Sequence, residues 1–291
     1  MRSQQQMMEL IMDVAHRNPH IRAVAMNGSR VNPHVRADLF QDYDVVYLVD
    51  TLEPFVREHR WVDVFGERIM MQMPDESDRL AGEPIVRFMY LMQFADGNRI
   101  DLRLQRIDHW REYIAEDRLT VILLDKDGIL PELALPDDTD YRVKRPTAAA
   151  FTGCCNEFWW VSTYIVKGLW RQELLYALDV MNRYARPMLE QLLCWQAGYE
   201  HAFQINTGKS GKYLPLYLNE SICAQLFATY PAAHAEAIWQ SLFVMSDLFA
   251  ERARWLAERL GYVYDEGEAQ RVRAHLTHVY HLPADASHLY E

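Results

Sequence analysis

The chain has 291 residues, of which 50% are hydrophobic, 12% aromatic and 24% charged. That profile excludes intrinsic disorder and leaves room for one large domain or two modest ones, with cores that need no disulfide staples. Lys plus Arg number 30 against 41 Asp plus Glu, a formal charge of −11; such a field disfavours a nucleic-acid partner and suits a polycationic small molecule, though acidity also serves solubility alone. The four cysteines, Cys154, Cys155, Cys194 and Cys223, fit neither a zinc ribbon nor a secreted disulfide framework. No leader-like apolar stretch follows Met1 and no run is long enough to cross a bilayer, so the expectation is a cytoplasmic, reduced protein without a membrane partner.

Along the chain, Met7, Met8, Ile11, Met12 and Ala15 recur at helical spacing, which predicts a helix over 3–17 stopped by Asn18-Pro19. Strands are predicted over 21–26, 44–49, 67–73, 87–94 and 99–107, with Asp96-Gly97-Asn98 as the turn of a hairpin. Short helices near 52–59 and 109–117 and an apolar run over 119–124 complete this half. Residues 130–146 read as a loop rich in Pro and Asp. Beyond it, 147–170, 172–199, 219–230 and 232–260 read as helices and strand signals nearly vanish. The expected fold is α+β: a mixed-sheet N-terminal domain over 1–142 and an all-helical C-terminal domain over 143–291.

The chemistry concentrates in Gly28-Ser29-Arg30 and Gln41-Asp42-Tyr43-Asp44. A Gly-Ser at the end of a strand lets the backbone approach an anion, and the following N–H groups can face phosphate oxygens. Asp42 and Asp44, two apart on a strand, project to one face. Paired carboxylates there call for a cation, and Mg²⁺, which takes hard oxygen ligands beside substrate phosphates, is the natural one. Asp101, in Arg99-Ile100-Asp101-Leu102, either faces solvent or completes a three-carboxylate site for two metal ions and nucleotidyl transfer.

Gly28-Ser29 followed by Asp42-Tyr43-Asp44 resembles the signature of the DNA polymerase beta-like nucleotidyltransferase superfamily. More narrowly, the sequence resembles the aminoglycoside 6-adenylyltransferases, the streptomycin-modifying enzymes. The likeness runs on through Phe65-Gly66-Glu67-Arg68-Ile69-Met70, Asp96-Gly97-Asn98-Arg99-Ile100-Asp101, Cys154-Cys155-Asn156-Glu157-Phe158-Trp159, Tyr164-Ile165-Val166-Lys167-Gly168-Leu169 and Arg186-Pro187. It thins after about residue 260. One departure is Asn27, where the superfamily prefers an apolar residue before the Gly-Ser.

The resemblance implies a nucleotidyltransferase domain facing a helical substrate-binding domain across a cleft. ATP and two Mg²⁺ would lie against Gly28, Ser29, Asp42, Asp44 and Asp101. AMP would pass to a hydroxyl of a cationic aminoglycoside, position 6 of streptomycin first, giving antibiotic resistance. Arg30 would help hold the triphosphate or serve only as a surface residue. Asp179, on an otherwise apolar helix face, is either the general base, with a pKa raised by burial, or an ion-pair partner of Arg183. Glu157 either holds a substrate ammonium or guanidinium group or is solvated. Lys167 either reaches a phosphate, as the likeness implies, or snorkels to water. Lys212, in Gly208-Lys209-Ser210-Gly211-Lys212, is a further triphosphate candidate, although the segment lacks P-loop spacing and follows no strand. Asp125-Lys126-Asp127-Gly128 fits a turn, the paired cysteines fit a packed helix, and His275, His278 and His281 fit an exposed helix face. The alternatives are the same site acting on another small acceptor (a lincosamide, an aminocyclitol or a cellular metabolite) and a non-catalytic nucleotide-binding relative. A monomer or a homodimer is compatible with either.

Overall fold

Ser3 caps the first helix, its hydroxyl accepting from Gln6 N–H while the Gln6 side chain accepts from Ser3 N–H, a reciprocal pair that satisfies two otherwise orphaned donors. The helix, α1 (Gln4–Arg17), buries Met7, Ile11 and Ala15 on one stripe. In the computed structural model, which describes residues 1–290, the chain divides into two compact units, one covering Met1–Asp140 and the other beginning at Tyr141. Among the described residues no helix is long and apolar enough to cross a membrane.

The first unit is built on one mixed six-stranded sheet. Its strands are β1 (Ile21–Asn27), β2 (Tyr43–Val49), β3 (Arg68–Gln72), β4 (Arg87–Phe94), β5 (Arg99–Arg106) and β6 (Thr120–Asp125), interspersed with α2 (Glu53–Arg57), α3 (Glu76–Leu80) and α4 (Trp110–Glu116). The order is β3-β4-β5-β2-β1-β6, antiparallel throughout except for the central β2–β5 pair, which is parallel. Alternation along the strands sorts the residues onto two faces. Val45, Tyr47 and Val49 of β2 join Ile100, Leu102 and Leu104 of β5 in the larger core beside α1, and Tyr47 OH donates to Ile11 O at 2.7 Å. Val46 and Leu48 pack with Ala23, Ala25 and Tyr113 of α4 in a smaller cluster on the opposite face.

The run over 119–124, which carried no strand prediction, supplies β6, the edge strand paired with β1. Its residues after Thr120 are all half-buried, so neither face imposes the apolar–polar alternation that marks a strand. The turn that follows is structural. Asp125 accepts from the backbone N–H groups of Asp127, Gly128 and Leu130, and Lys126 Nζ reaches Ala15 O at 2.7 Å and Asn18 O at 3.0 Å, holding the end of α1.

The second unit is helical: α5 (Ala148–Trp170), α6 (Leu174–Val180), α7 (Arg186–Glu200), α8 (Glu220–Ala228), α9 (Ala235–Leu260) and α10 (Glu266–His281). Phe158 of α5 stacks on Phe249 of α9 with centroids 3.8 Å apart in a core that also holds both Cys154 and Cys155, whose thiols burial pushes up. The helix expected over 172–199 runs continuously through α6 and α7, its α hydrogen bonding interrupted by a wide π-turn, Met181–Ala185. Pro187 explains the interruption, since it has no N–H to donate one turn back and its ring crowds the preceding carbonyls.

Candidate active site

Strand β1 ends at Asn27 and the chain enters a tight 3₁₀ turn, Gly28–Val31, tied back by Gly28 N–H to Leu119 O at 3.2 Å. Gly28 has φ +76°, a conformation that L side chains rarely adopt. A Cβ at this position would also lie only 2.9 Å from Asp44 Cγ. Glycine is therefore required twice over, by the backbone and by the carboxylate that packs against it. Asn27, the departure from the superfamily pattern, is pinned rather than merely tolerated. Tyr113 OH donates to its Oδ1 at 2.6 Å, and its Nδ2 donates to Thr120 Oγ1 at 2.6 Å.

The parallel pairing sets Asp44 of β2 directly beside Asp101 of β5. Asp42, immediately before β2, completes the group: one carboxylate oxygen from each of Asp42, Asp44 and Asp101 lies within 4.8 Å of the others. This is the one such group of His, Cys, Asp or Glu ligands among the described residues, so the three histidines of α10 do not form one. A cluster of hard carboxylate oxygens matches what Mg²⁺ takes. Asp44 has its pKa pushed up to about 7, first by burial and then by the charges of Asp42 and Asp101. A cavity of about 220 Å³ adjoins it, lined by Asn27, Asp44, Asp101, Arg103, Tyr113 and Glu116 among others.

Two arginines border the acids and differ in use. Arg30 donates from Nε to Asp42 O at 2.7 Å and from Nη2 to Gln41 O at 2.6 Å, and lies 3.6 Å over the Tyr43 ring. It thus braces the segment that carries Asp42. Arg99 grips Asp101 with both arms, Nε to Oδ1 and Nη2 to Oδ2 at 2.7 Å each, and comes within 3.9 Å of Asp42. Sequence reasoning passed over Arg99 and Tyr113. The signal for Arg99 was present, because residues two apart on a strand share a face.

Gly28, Ser29, Arg30, Asp42, Asp44 and Asp101 are thus brought together at one end of the inner strands of the first sheet. The remaining candidates belong to the helical unit. Glu157 and Lys167 fall on one exposed stripe of α5, with Trp160 and Tyr164 between them; Trp160 Nε1 donates to Tyr164 OH at 2.8 Å, and Lys167 Nζ lies 4.8 Å from the Tyr164 ring. From sequence, Trp160 was expected to pack in a core with Trp159 and Trp170 or to line the sugar site, and it is exposed; Tyr164 carried no such expectation. Lys167 also lines a cavity of about 400 Å³ with Trp170 and Arg171.

Asp179 is exposed and pairs with Arg183 at 2.8 Å. The apolar surround expected for it is absent, because Leu175 and Tyr176 beside it are themselves exposed. Lys212 is exposed in the α7–α8 connection with Nζ 4.8 Å from the Tyr213 ring. That connection follows a helix rather than a strand, unlike a nucleoside-triphosphate P-loop.

Residues 1–279 match the family described as streptomycin adenylyltransferase. The chain is 40% identical over 271 residues to an aminoglycoside 6-adenylyltransferase of Bacillus subtilis (strain 168), covering 92% of this chain and 95% of that protein. It is 36% identical over 266 residues to one of Campylobacter jejuni, covering 91% of each. A Staphylococcus aureus relative of the same name is 34% identical over 250 residues, with 86% and 89% covered. A crystal structure of an aminoglycoside 6-adenyltransferase from Bacillus subtilis aligns over 97% of this chain and 100% of that one, at 34% identity and a TM-score of 0.49. With the acid cluster and a family match over nearly its whole length, the chain is a nucleotidyltransferase and belongs to the streptomycin adenylyltransferase family.

Proposed function

We propose that the protein transfers AMP from ATP to a hydroxyl of an aminoglycoside, with position 6 of streptomycin the first acceptor to test. The observation that carries this reading is the cluster of Asp42, Asp44 and Asp101 against the Gly28 turn; the relatives' names supply the acceptor class. In the reaction the acceptor oxygen forms a bond to the α-phosphorus, the bond from that phosphorus to the bridging oxygen breaks, and pyrophosphate leaves. Bound Mg²⁺, with two ions expected, would offset the charge on the phosphates and lower the pKa of the attacking hydroxyl. Asp42, Asp44 and Asp101 would hold it.

The rest falls to the chain's own groups. Gly28 and Ser29 offer a turn that a phosphate can approach closely. Arg30 acts by fixing the segment carrying Asp42, and Lys167 and Lys212 remain candidates for the triphosphate. The acceptor proton needs a carboxylate. Asp101, fixed in orientation by Arg99 beside the other two acids, suits that work better than Asp179, which is exposed and paired with Arg183. Glu157 and Asp179 are then contacts for the acceptor's cationic groups. The formal charge of −11 favours such a substrate.

The test is a mass-spectrometric adduct assay with Mg²⁺–ATP and a panel of aminoglycosides, run beside Asp44→Asn. An AMP adduct on streptomycin that disappears in the variant is the expected outcome. Tight Mg²⁺–ATP binding with no adduct on any panel member would overturn the acceptor class while leaving the nucleotide site standing.

A further inference from the structure

Two cations border the acid cluster, and only one of them rests on a carboxylate. Arg30 spends its donors on backbone carbonyls. The guanidinium of Arg99 engages both oxygens of Asp101 and sits 3.9 Å from Asp42. It therefore touches two of the three groups that a divalent ion would share. A carboxylate has lone pairs enough for a guanidinium and a metal together, so the conflict is one of charge rather than of bonding capacity. A fixed positive charge in hydrogen-bond contact with a ligand opposes a second cation on that ligand. Among the described residues Asp44, by contrast, has no cationic partner in contact.

We infer that Arg99 is a positioning residue that makes metal binding depend on nucleotide: its charge weakens the hold of Asp42 and Asp101 on a lone divalent ion, and the penalty is relieved when polyphosphate offers the guanidinium a second anion. A planar guanidinium fork matches phosphate as well as it matches carboxylate. Because the two ligands are then linked through one side chain, whatever nucleotide does for metal affinity, metal does equally for nucleotide affinity. The inference rests on the reading that the three acids hold a divalent ion.

The experiment titrates Mn²⁺ by the electron-spin signal of the free ion, with and without α,β-methylene-ATP, on the full chain and on Arg99→Gln, Arg99→Met, Arg99→Lys and Asp44→Asn. Without nucleotide, the two uncharged variants should bind Mn²⁺ about tenfold more tightly than the parent, as the removal of a contacting charge implies. Their gain in affinity on adding nucleotide should shrink by the same factor, and Arg99→Lys should resemble the parent. Two uncharged replacements of different shape guard against one failing to fold, Arg99 being exposed at the first position of its strand. Unchanged or weaker Mn²⁺ binding in both, or tightening in Arg99→Lys as well, would overturn the inference. If Asp44→Asn left Mn²⁺ binding intact, the metal site itself would be the reading that failed.

Discussion

Asp44 owes its chemistry to what surrounds it rather than to its own side chain. Half-buried, set beside Asp101 by the strand register and close to Asp42, it holds its proton until about pH 7. A carboxyl whose folded pKa lies above its unfolded one loses stability as pH rises between the two, here from about 4 to about 7, and the loss stays constant above that window. Asp44→Asn removes the burden. The variant should exceed the parent in stability by about 1–2 kcal/mol at pH 8 in chelator, discounting the full shift for solvent access, with the gap closing by pH 4. Thermal unfolding across that range measures it. Divalent metal reverses the trend in the parent, because the ion must displace the proton. Apparent Mn²⁺ affinity should climb about tenfold per pH unit below 7 and level off above. These acids, with Gly28 and Ser29, were legible in the sequence because each is a chemical oddity in its place. Arg99 carried only the weaker signal of sharing a strand face with Asp101, and an arginine on an alternating strand otherwise looks like any solvated position.

At the scale of elements, α1, β4 and β5 were legible because their burial repeats or alternates cleanly, and β2, buried almost throughout, because β-branched and aromatic residues crowd it. Strand β6 hid because one apolar run, half-covered on both faces, has no period, and the π-turn between α6 and α7 hid because helical spacing continues through it. The α5–α6 corner, by contrast, was legible as the boundary between the helices expected over 147–170 and 172–199, and it depends on one residue. A Cβ on Gly168 would meet Tyr176 Cδ1 at 2.8 Å and Ala177 Cβ at 3.4 Å, and Gly168 O accepts from Glu173 N–H at 2.8 Å to fix the turn between the helices. Gly168→Val should destabilise the protein by about 2 kcal/mol through overpacking, more than any gain from replacing a helical glycine. Urea unfolding reads the difference. A midpoint at or above the parent's would show that α6 can move away freely.

For the whole molecule, charge is the property that acts at a distance. With a formal charge of −11, the protein should draw in a polycationic acceptor from beyond contact range, an attraction that salt screens within about 10 Å at 0.1 M. Raising the ionic strength from about 20 to about 300 mM, roughly the span over which screening becomes strong, should lower kcat/KM for the proposed acceptor streptomycin about tenfold while changing kcat little. Steady-state kinetics in KCl at fixed Mg²⁺ decides the matter, and an unchanged ratio would confine the substrate's electrostatics to direct contacts. The charge count was available from the sequence. The neighbour relation that turns Asp44 and Asp101 into one site was not, because it lives in a parallel pairing between strands far apart in the chain. That pairing also has a kinetic consequence. A parallel register cannot be closed by a hairpin, so β2 and β5 must find each other after β4 and β5 have already joined through their short turn. On refolding, the ability to bind a divalent ion should therefore return late, after most of the helical signal, and make metal uptake a clock for the closing of β2 on β5.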